Sequence, residues 1–288
     1  METRHKPKKE WYRVRSMDPI SIVSPYIMKN RIGSSNFLTD RIPTARIDKF
    51  IKAKQEEGMK NLSFMHVLIA SYVRAVSQRP ALNRFIRGQR VYSRRDIELA
   101  IAIKKEMSLD SPDTVIKVIF SPTDTLTDVY EKMNNAIESY RAEQNSGLDK
   151  LAKLISFIPG LFLRGTVGFL RFLDYFGLLP RFLTRLSPFH ASIFITSMGS
   201  LGIPPVFHHL YDFGTVPAFC AFGAKQRDYK VNADGSVYKY QYVDLTFTLD
   251  ERIADGFYYA SSLKLLRNIM RSPEQLMSPP ETVIYDIP

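Results

Sequence analysis

Residues 250–256 read Asp-Glu-Arg-Ile-Ala-Asp-Gly, and the patterns on either side of this heptapeptide decide the fold. Upstream, apolar and polar residues alternate over 237–249, which is typical of a strand with one buried face. Downstream, residues 256–270 have the pattern of a helix. The sequence therefore predicts a strand, a short charged turn and a helix, with the turn at the end of a sheet.

Further strands and helices are predicted on the N-terminal side of this unit. The turn sequence Asn232-Ala233-Asp234-Gly235 lies in a hairpin, residues 227–238, that leads into the long strand. Other strands are predicted at 37–47, 114–120, 191–197 and 216–223, with a hairpin arm or two short strands at 91–104, and helices at 48–58, 63–78 and 126–145. Because no internal repeat is present, the sequence predicts one α/β domain with a mixed sheet.

The composition is that of an ordinary globular protein with a basic surface. The chain has 288 residues, of which 45% are hydrophobic and 24% are charged, so it is long enough for one large α/β domain or two small ones. Its formal net charge of +11 suits nucleic acid, an anionic membrane or an anionic substrate. No zinc-finger, helix-turn-helix or RNA-binding aromatic motif is present, so nucleic acid is not expected as a partner.

Cysteine usage and the first residues bear on location and metal binding. Cys220 is the single cysteine, which excludes an intrachain disulfide and a cysteine-based metal cluster. It lies in an apolar run, so we expect a buried thiol. Residues 1–15 are polar and basic, without the apolar core of a secretory signal, which favours a cytoplasmic protein. Histidines and carboxylates show no recognisable ligand spacing, so no metal is expected.

Charge and apolar runs divide the chain into three parts. We expect a basic N-terminal arm over residues 1–24, a domain over 25–272 and a Pro-rich tail over 273–288. Within the domain, residues 154–189 form a hydrophobic insert with few charges. Its uncharged runs are too short for a transmembrane helix, and Pro159, Gly160 and Pro180 break it, so two short helices are predicted. Such helices can pack in a subunit interface, lie on a membrane surface, or line a channel for an apolar substrate.

Four segments, in their order and spacing, resemble the catalytic domain of the dihydrolipoyl acyltransferases, the core subunits of 2-oxoacid dehydrogenase complexes. They are residues 79–83 (Arg-Pro-Ala-Leu-Asn), 194–202 (Phe-Ile-Thr-Ser-Met-Gly-Ser-Leu-Gly), 217–224 (Pro-Ala-Phe-Cys-Ala-Phe-Gly-Ala) and the heptapeptide at 250–256. The family pattern for the heptapeptide is Asp-His-Arg-x-x-Asp-Gly, and chloramphenicol acetyltransferase, with the same fold, has His-x-x-x-Asp-Gly. The resemblance implies a chloramphenicol acetyltransferase-like two-layer sandwich, in which helices pack on one face of a mixed sheet.

The resemblance also implies acyl transfer between a coenzyme A thioester and an acceptor thiol, amine or hydroxyl. Such a reaction needs a base for the acceptor proton and a donor for the tetrahedral oxyanion. The match to the family places Thr196 at the oxyanion donor and Glu251 at the position of the family's histidine base. The family's final aspartate, here Asp255, pairs with an arginine and holds the loop; Arg31 and Arg41 are the candidate partners.

Further expectations about binding and assembly follow from the same resemblance. The residues implied to contact the substrate or coenzyme A are Ser197, Gly199, Asn83 and Gly256. The family's active site lies between subunits of a trimer, with the base from one chain and the hydroxyl from the next, so we expect a homotrimer. No lipoylation segment is seen in the sequence, which favours a free-standing enzyme with a different small acceptor.

The glutamate in place of the family's histidine leaves the identity of the base open. A solvated glutamate is about four pKa units more acidic than a thiol, so a glutamate acts as a base only in an enclosed apolar site. Otherwise Glu251 is a salt-bridge or cap residue at the helix start. His208 or His209, oriented by Asp212, is a second candidate base. A non-catalytic scaffold and a membrane-surface protein are the alternative functions.

Overall fold

A mixed sheet with helices along one face is the frame of the protein. The structure, a computed structural model, describes residues 10–104, 113–142, 156–157 and 159–288. The strands are β1 (Trp11–Arg13), β2 (Ser35–Pro43), β3 (Arg84–Arg87), β4 (Arg90–Arg94), β5 (Ile97–Lys104), β6 (Asp113–Phe120), β7 (Ile193–Ser197), β8 (Ala218–Phe222), β9 (Gln226–Val231) and β10 (Val237–Asp250). The helices are α1 (Pro19–Ile27), α2 (Ala45–Glu56), α3 (Phe64–Gln78), α4 (Leu126–Ala142), α5 (Gly160–Phe176), α6 (Arg181–Leu186) and α7 (Gly256–Arg271).

The main sheet has the strand order β2-β10-β8-β7-β5-β6, and β9 pairs with β10 beside this path. β7 runs parallel to both β5 and β8, whereas the other pairs are antiparallel. β1, β4 and β3 form a second, smaller sheet. The sheet is therefore mixed, as the sequence predicts.

The two faces of the main sheet have different coverings. Side chains such as Ile195, Cys220 and Leu245 join one large core with α2, α3, α4 and α7. Phe194 and Phe219, which alternate with them along the strands, lie in a small separate cluster on the opposite face. The predicted two-layer sandwich with helices on one face is confirmed. Burial raises the pKa of the Cys220 thiol, which has the buried place that its apolar surroundings predict.

Both ends of the described chain are held against the body of the protein. Residues 11–13, inside the predicted basic arm, form β1 and pair with β4. In the Pro-rich tail, the amide of Ile284 donates to the carbonyl of Ser77 at 2.8 Å, and Asp286 pairs with Arg84 at 2.6 Å. The tail therefore packs beside the end of α3 and the start of β3.

Helix α1 is an element that the sequence pattern did not predict. Asp18 caps it by accepting the Ser21 amide at 3.1 Å, and Pro19 takes the first helical position. Ile20 and Ile27 are among its apolar side chains that remain largely exposed. Because the apolar residues do not form a single buried stripe, the helical period is hidden in the sequence.

From residue 159 onward the hydrophobic insert forms the two short helices that its prolines predict. α5 begins directly after Pro159 and α6 directly after Pro180, while residues 154, 155 and 158 lie outside the described residues. Asp174 connects α5 to the body, because its carboxylate lies 3.4 Å from the Arg87 guanidinium and 3.3 Å from His190 Nε2. None of the helices in the described ranges is long and apolar enough to cross a membrane.

His66, in the first turn of α3, makes the stability of the fold depend on pH. Its Nδ1 accepts the Ser63 amide at 3.2 Å and lies 2.8 Å from the Ser63 hydroxyl. Burial lowers the pKa of His66 from 6.5 to about 4, so the unfolded chain binds a proton that the folded protein excludes. The contribution of neutral His66 to the free energy of unfolding is therefore fully present above about pH 6.5. It is lost as the pH falls toward about 4, which lowers the free energy of unfolding by up to about 3 kcal/mol.

Replacing His66 with glutamine is expected to remove this part of the pH dependence. Glutamine keeps an acceptor for the Ser63 amide but does not titrate. The measurement is the free energy of unfolding in urea at about pH 7 and about pH 4, for His66→Gln and for the unchanged protein. An equal loss of stability on acidification in both proteins would rule out His66 as the source.

Candidate functional site

The heptapeptide turn is held by a buried ion pair. The Arg252 guanidinium donates to the two carboxylate oxygens of Asp250 at 2.8 and 2.7 Å, and both side chains are buried. The Arg252 amide donates to the same carboxylate at 3.1 Å, and the Tyr259 hydroxyl donates to the Asp250 carbonyl at 2.7 Å. These contacts fix the end of β10 to the start of α7.

Glu251 lies on this fixed turn with its side chain exposed. Its amide donates to the Ser34 carbonyl at 2.8 Å, so the backbone of this residue, predicted as a base from the sequence, is held in place. The carboxylate is exposed, so an enclosed setting around it requires atoms other than those of the described residues, such as those of a second chain.

Asp255 caps helix α7, and its carboxylate accepts the Tyr258 amide at 2.7 Å. The two arginines predicted as its partners bond elsewhere. Arg31 donates to backbone carbonyls of the segment before β8, and Arg41 pairs with acidic residues on β9 and β10. At Gly256, predicted to contact the substrate or coenzyme A, no described atom outside the helix lies within 4 Å of the place that a Cβ would take.

Thr196 lies near the end of β7, on the sheet face opposite the helices. The strand registers align it with Ala221 of β8 and Thr246 of β10, which gives one row across three strands. Thr196 is buried, and the Thr246 hydroxyl in the same row donates to the Val206 carbonyl at 2.7 Å. The segment that follows β7 therefore folds back over the row that holds the predicted oxyanion donor.

The other residues predicted to bind substrate lie at the ends of strands. Ser197 is the last residue of β7. A Cβ at Gly199 would lie 3.2 Å from the Gly223 carbonyl, so glycine lets the chain pass close to the end of β8. The buried Asn83 accepts the Ser192 hydroxyl at 2.5 Å and donates to two carbonyls between β4 and β5. The Asn83 side chain thus connects the end of β4 to the segment just before β7 through hydrogen bonds. Its contact with coenzyme A stays a prediction.

His208 lies flat on the aromatic side chains of the open sheet face. Its ring is 4.2 Å from that of Phe219, with an interplanar angle of 5°, and Phe219 stacks on Phe194 at 4.8 Å. Thr196 follows the Phe194–Phe219 pair by two residues, roughly 7 Å along the strand. Burial lowers the pKa of His208, so the ring is neutral and able to accept a proton at neutral pH. His208 is thus the candidate base that a single chain brings near Thr196.

Asp212, predicted to orient His208 or His209, contacts neither histidine through its carboxylate. In the part of the chain that the structure describes, no hydrogen bond joins Asp212 to either histidine, and the side chains of Asp212 and His209 are exposed. His208 Nδ1 instead lies 3.4 Å from the carbonyl of His209. Arg31 holds the segment by donating to the carbonyls of Tyr211 at 3.0 Å and Asp212 at 3.3 Å, and also to that of Gly214.

Glu251 and Thr196 are far apart within one chain. Thr196 is aligned with Thr246, and Glu251 follows Thr246 by five residues, roughly 15 Å along the strand direction. Strand β8 also separates β7 from β10. The base must reach the acceptor that attacks the carbonyl, and the oxyanion donor must reach the oxygen of that carbonyl. Glu251 and Thr196 of one chain are too far apart for this, so a site that uses both residues would take them from two chains.

A cationic cleft of about 390 Å³ opens beside the heptapeptide turn. The carboxylates in its lining are Asp174, which pairs with Arg87, and Asp212. Two of its cationic side chains, Lys29 and Arg171, are exposed, so the cleft suits an anionic group. The basic residues of the lining are Lys29, Arg31, Arg87, Arg171 and Arg252.

Solved acyltransferase structures resemble the protein over most of its length. A probable dihydrolipoamide acetyltransferase from Listeria monocytogenes gives a TM-score of 0.56 at 15% identity, over 94% of this chain and 99% of that chain. This chain has the fold of an acyltransferase core. The dihydrolipoamide acetyltransferase of Azotobacter vinelandii gives a TM-score of 0.54 at 12% identity, over 89% of this chain and 87% of that chain. For a chloramphenicol acetyltransferase the TM-score is 0.55 at 10% identity, over 90% of this chain and 99% of that chain.

The match to acyltransferase cores is structural. No family model matches the chain, and no curated protein matches it in sequence. Two features of this acyltransferase-core fold were missed from the sequence, namely the Asp250–Arg252 ion pair and the bonds from Arg31 to the segment before β8. The first had a signal, because Asp250 continues the strand face that carries Thr246 and Thr248, and Arg252 follows two residues later.

Proposed function

We propose that the protein is an acyltransferase that moves an acyl group between coenzyme A and a small acceptor. The row formed by Thr196, Ala221 and Thr246 supports this proposal. The Thr196 hydroxyl is buried on the sheet face opposite the helices, under a segment that also holds His208. A hydroxyl in that place can donate to an oxyanion, and a neutral imidazole close by can accept a proton.

The chemical steps use these two groups in turn. His208 takes the proton from the acceptor as the acceptor atom attacks the thioester carbonyl of acyl-coenzyme A. The tetrahedral oxyanion accepts a hydrogen bond from the Thr196 hydroxyl. When the intermediate collapses, the carbon–sulfur bond breaks, and the coenzyme A thiolate leaves and takes the proton back from the imidazolium.

Coenzyme A carries phosphates, and the cationic cleft offers them exposed basic side chains. Lys29 and Arg171 suit such anions. We propose coenzyme A as the co-substrate and a homotrimer as the assembly, on the resemblance to the acyltransferase cores. In such a trimer, a neighbouring subunit can enclose Glu251, which would make Glu251 the alternative base.

Replacing His208 with glutamine is expected to lower kcat by about 10²- to 10⁴-fold, because the base is lost. Glu251→Gln is expected to lower it by less than about tenfold. The measurement is release of free coenzyme A from acyl-coenzyme A, followed as a function of pH. Since burial lowers the pKa of His208, the activity should persist below the ordinary histidine pKa of about 6.5 before it falls in acid.

His209→Gln is the matched control, because His209 is the exposed neighbour and should leave kcat unchanged. A large loss in Glu251→Gln with little change in His208→Gln would instead assign the base to Glu251. That outcome would mean that the site lies between two subunits.

A non-catalytic scaffold is the second candidate function. The observation in its favour is that the heptapeptide turn has a buried Asp250–Arg252 ion pair, while Glu251, at the position that the resemblance implies for the base, is exposed. Calorimetric titration with acyl-coenzyme A separates the two functions. No detectable binding at high micromolar ligand, together with no release of coenzyme A, would favour the scaffold.

A further inference from the structure

The outer side of helix α5 is apolar, whereas the outer side of a surface helix is ordinarily polar. Leu163, Leu170 and Asp174 are on the side toward the body of the protein, where they are partly or fully buried. The opposite side of the helix carries large exposed apolar residues, which are Leu161, Phe162, Phe169, Phe172 and Phe176. Phe169 and Phe172 are 61% and 56% exposed, so these rings pack against little of the chain itself.

Basic side chains flank this apolar face, and in the described parts of the chain they form no ion pair with an acidic residue. Arg164 and Arg171 are seven residues apart and project from one flank of α5, and both are exposed. Between residues 156 and 189 the sequence has one acidic residue, Asp174. Asp174 is buried and contacts Arg87 and His190. The exposed part of this region therefore has a purely positive charge.

Helix α1, which ends just before the cationic cleft, also carries exposed apolar side chains. Lys29 and Asn30, which follow α1, line the cationic cleft together with Arg171 and Tyr175 of α5. The exposed apolar residues of α1 include Ile20, Val23, Tyr26 and Ile27. One helix with exposed apolar side chains, α5, thus lines a cleft with exposed cationic groups, and a second, α1, ends beside it.

We propose that α5 and α1 dock the protein on the surface of a membrane that contains anionic phospholipid. The phenylalanines of α5 enter the boundary between headgroups and acyl chains, and Arg164, Arg171 and Lys29 meet lipid phosphates. A second copy of the chain fits this face less well. A two-fold contact through this face would bring the exposed Arg164 and Arg171 of one copy close to those of the other.

The test is flotation of the protein with lipid vesicles, either of phosphatidylcholine alone or of phosphatidylcholine mixed with phosphatidylserine. We expect binding to the vesicles that contain phosphatidylserine and weak binding to the others. The double variant Phe169→Ser/Phe172→Ser should bind about tenfold more weakly or worse, because it loses apolar area. Arg164→Gln/Arg171→Gln should bind the anionic vesicles roughly thirtyfold more weakly.

A matched control replaces two exposed apolar residues on another element. Tyr229→Ser/Val231→Ser on β9 removes side chains that are similarly exposed and should leave vesicle binding unchanged. Failure of the unchanged protein to float with anionic vesicles would overturn the proposal, as would unaltered binding by Phe169→Ser/Phe172→Ser. Sedimentation of the protein without lipid is the third measurement. An oligomer that forms in the unchanged protein and is lost in Phe169→Ser/Phe172→Ser would also overturn the proposal, because a second copy of the chain would then cover the apolar face.

Discussion

Replacing Asp250 with alanine is expected to destabilise the folded protein by about 3–5 kcal/mol. The Arg252 guanidinium would then remain buried without a carboxylate, although it still donates to the Met28 carbonyl at 3.3 Å. The loss of an ion pair inside the fold leaves an uncompensated charge, which costs far more than the loss of a surface pair. The measurement is equilibrium unfolding in urea of Asp250→Ala and of the unchanged protein.

Asp244→Ala is the matched control for this experiment. Asp244 is also on β10 and also pairs with an arginine, Arg41, but that pair is exposed to solvent. Its removal should cost no more than about 1 kcal/mol. If Asp250→Ala and Asp244→Ala lower the free energy of unfolding equally, burial of the Asp250–Arg252 pair does not make its loss more destabilising than that of an exposed pair.

Replacing Thr196 with valine is expected to lower kcat for acyl transfer by about 10²- to 10³-fold, because the tetrahedral oxyanion loses its hydrogen-bond donor. Valine has nearly the same shape, so the buried site should keep its packing. Thr196→Ser restores a hydroxyl and should recover most of the activity. The measurement is the steady-state release of coenzyme A by the three proteins.

Thr248→Val is the control for the valine substitution. Thr248 is on the same sheet face, in β10, and its buried hydroxyl has no hydrogen-bond partner among the described residues. Its replacement should therefore leave activity and stability unchanged. Full activity in Thr196→Val would remove Thr196 from the mechanism and the main support for the proposed function.

The sequence predicts the sheet well, because a buried strand face repeats every second residue. The alternation over 237–249 corresponds to β10, and the helical spacing before Gln78 corresponds to α3. Helix α1 was missed because its apolar side chains stay exposed, and β1 because three residues among basic neighbours carry too little pattern. The spacing of apolar residues in a sequence indicates which side chains are buried. It therefore does not reveal α1, whose apolar side chains are exposed, or β1, which is defined by its pairing with β4.

The sequence was enough to propose candidate site residues but not their arrangement in space. Thr196 could be found from the glycines that follow its strand, and Glu251 from the heptapeptide. Their separation depends on the register of β7, β8 and β10, which no local pattern records. The bond from Arg31 to the Tyr211 carbonyl joins residues 180 positions apart, so it too lies beyond the reach of sequence spacing.

The bonds from Arg31 to the carbonyls of residues 211, 212 and 214 also bear on how substrates enter. Arg31 is buried, and opening this segment would leave its guanidinium without these three acceptors inside the protein. Residues 211–214 are therefore held in place by Arg31, and we do not expect them to open as a lid. If the protein is the proposed acyltransferase, we expect the acyl group to reach Thr196 without opening of these residues, so that the width of the space beside them would set which acyl groups are accepted.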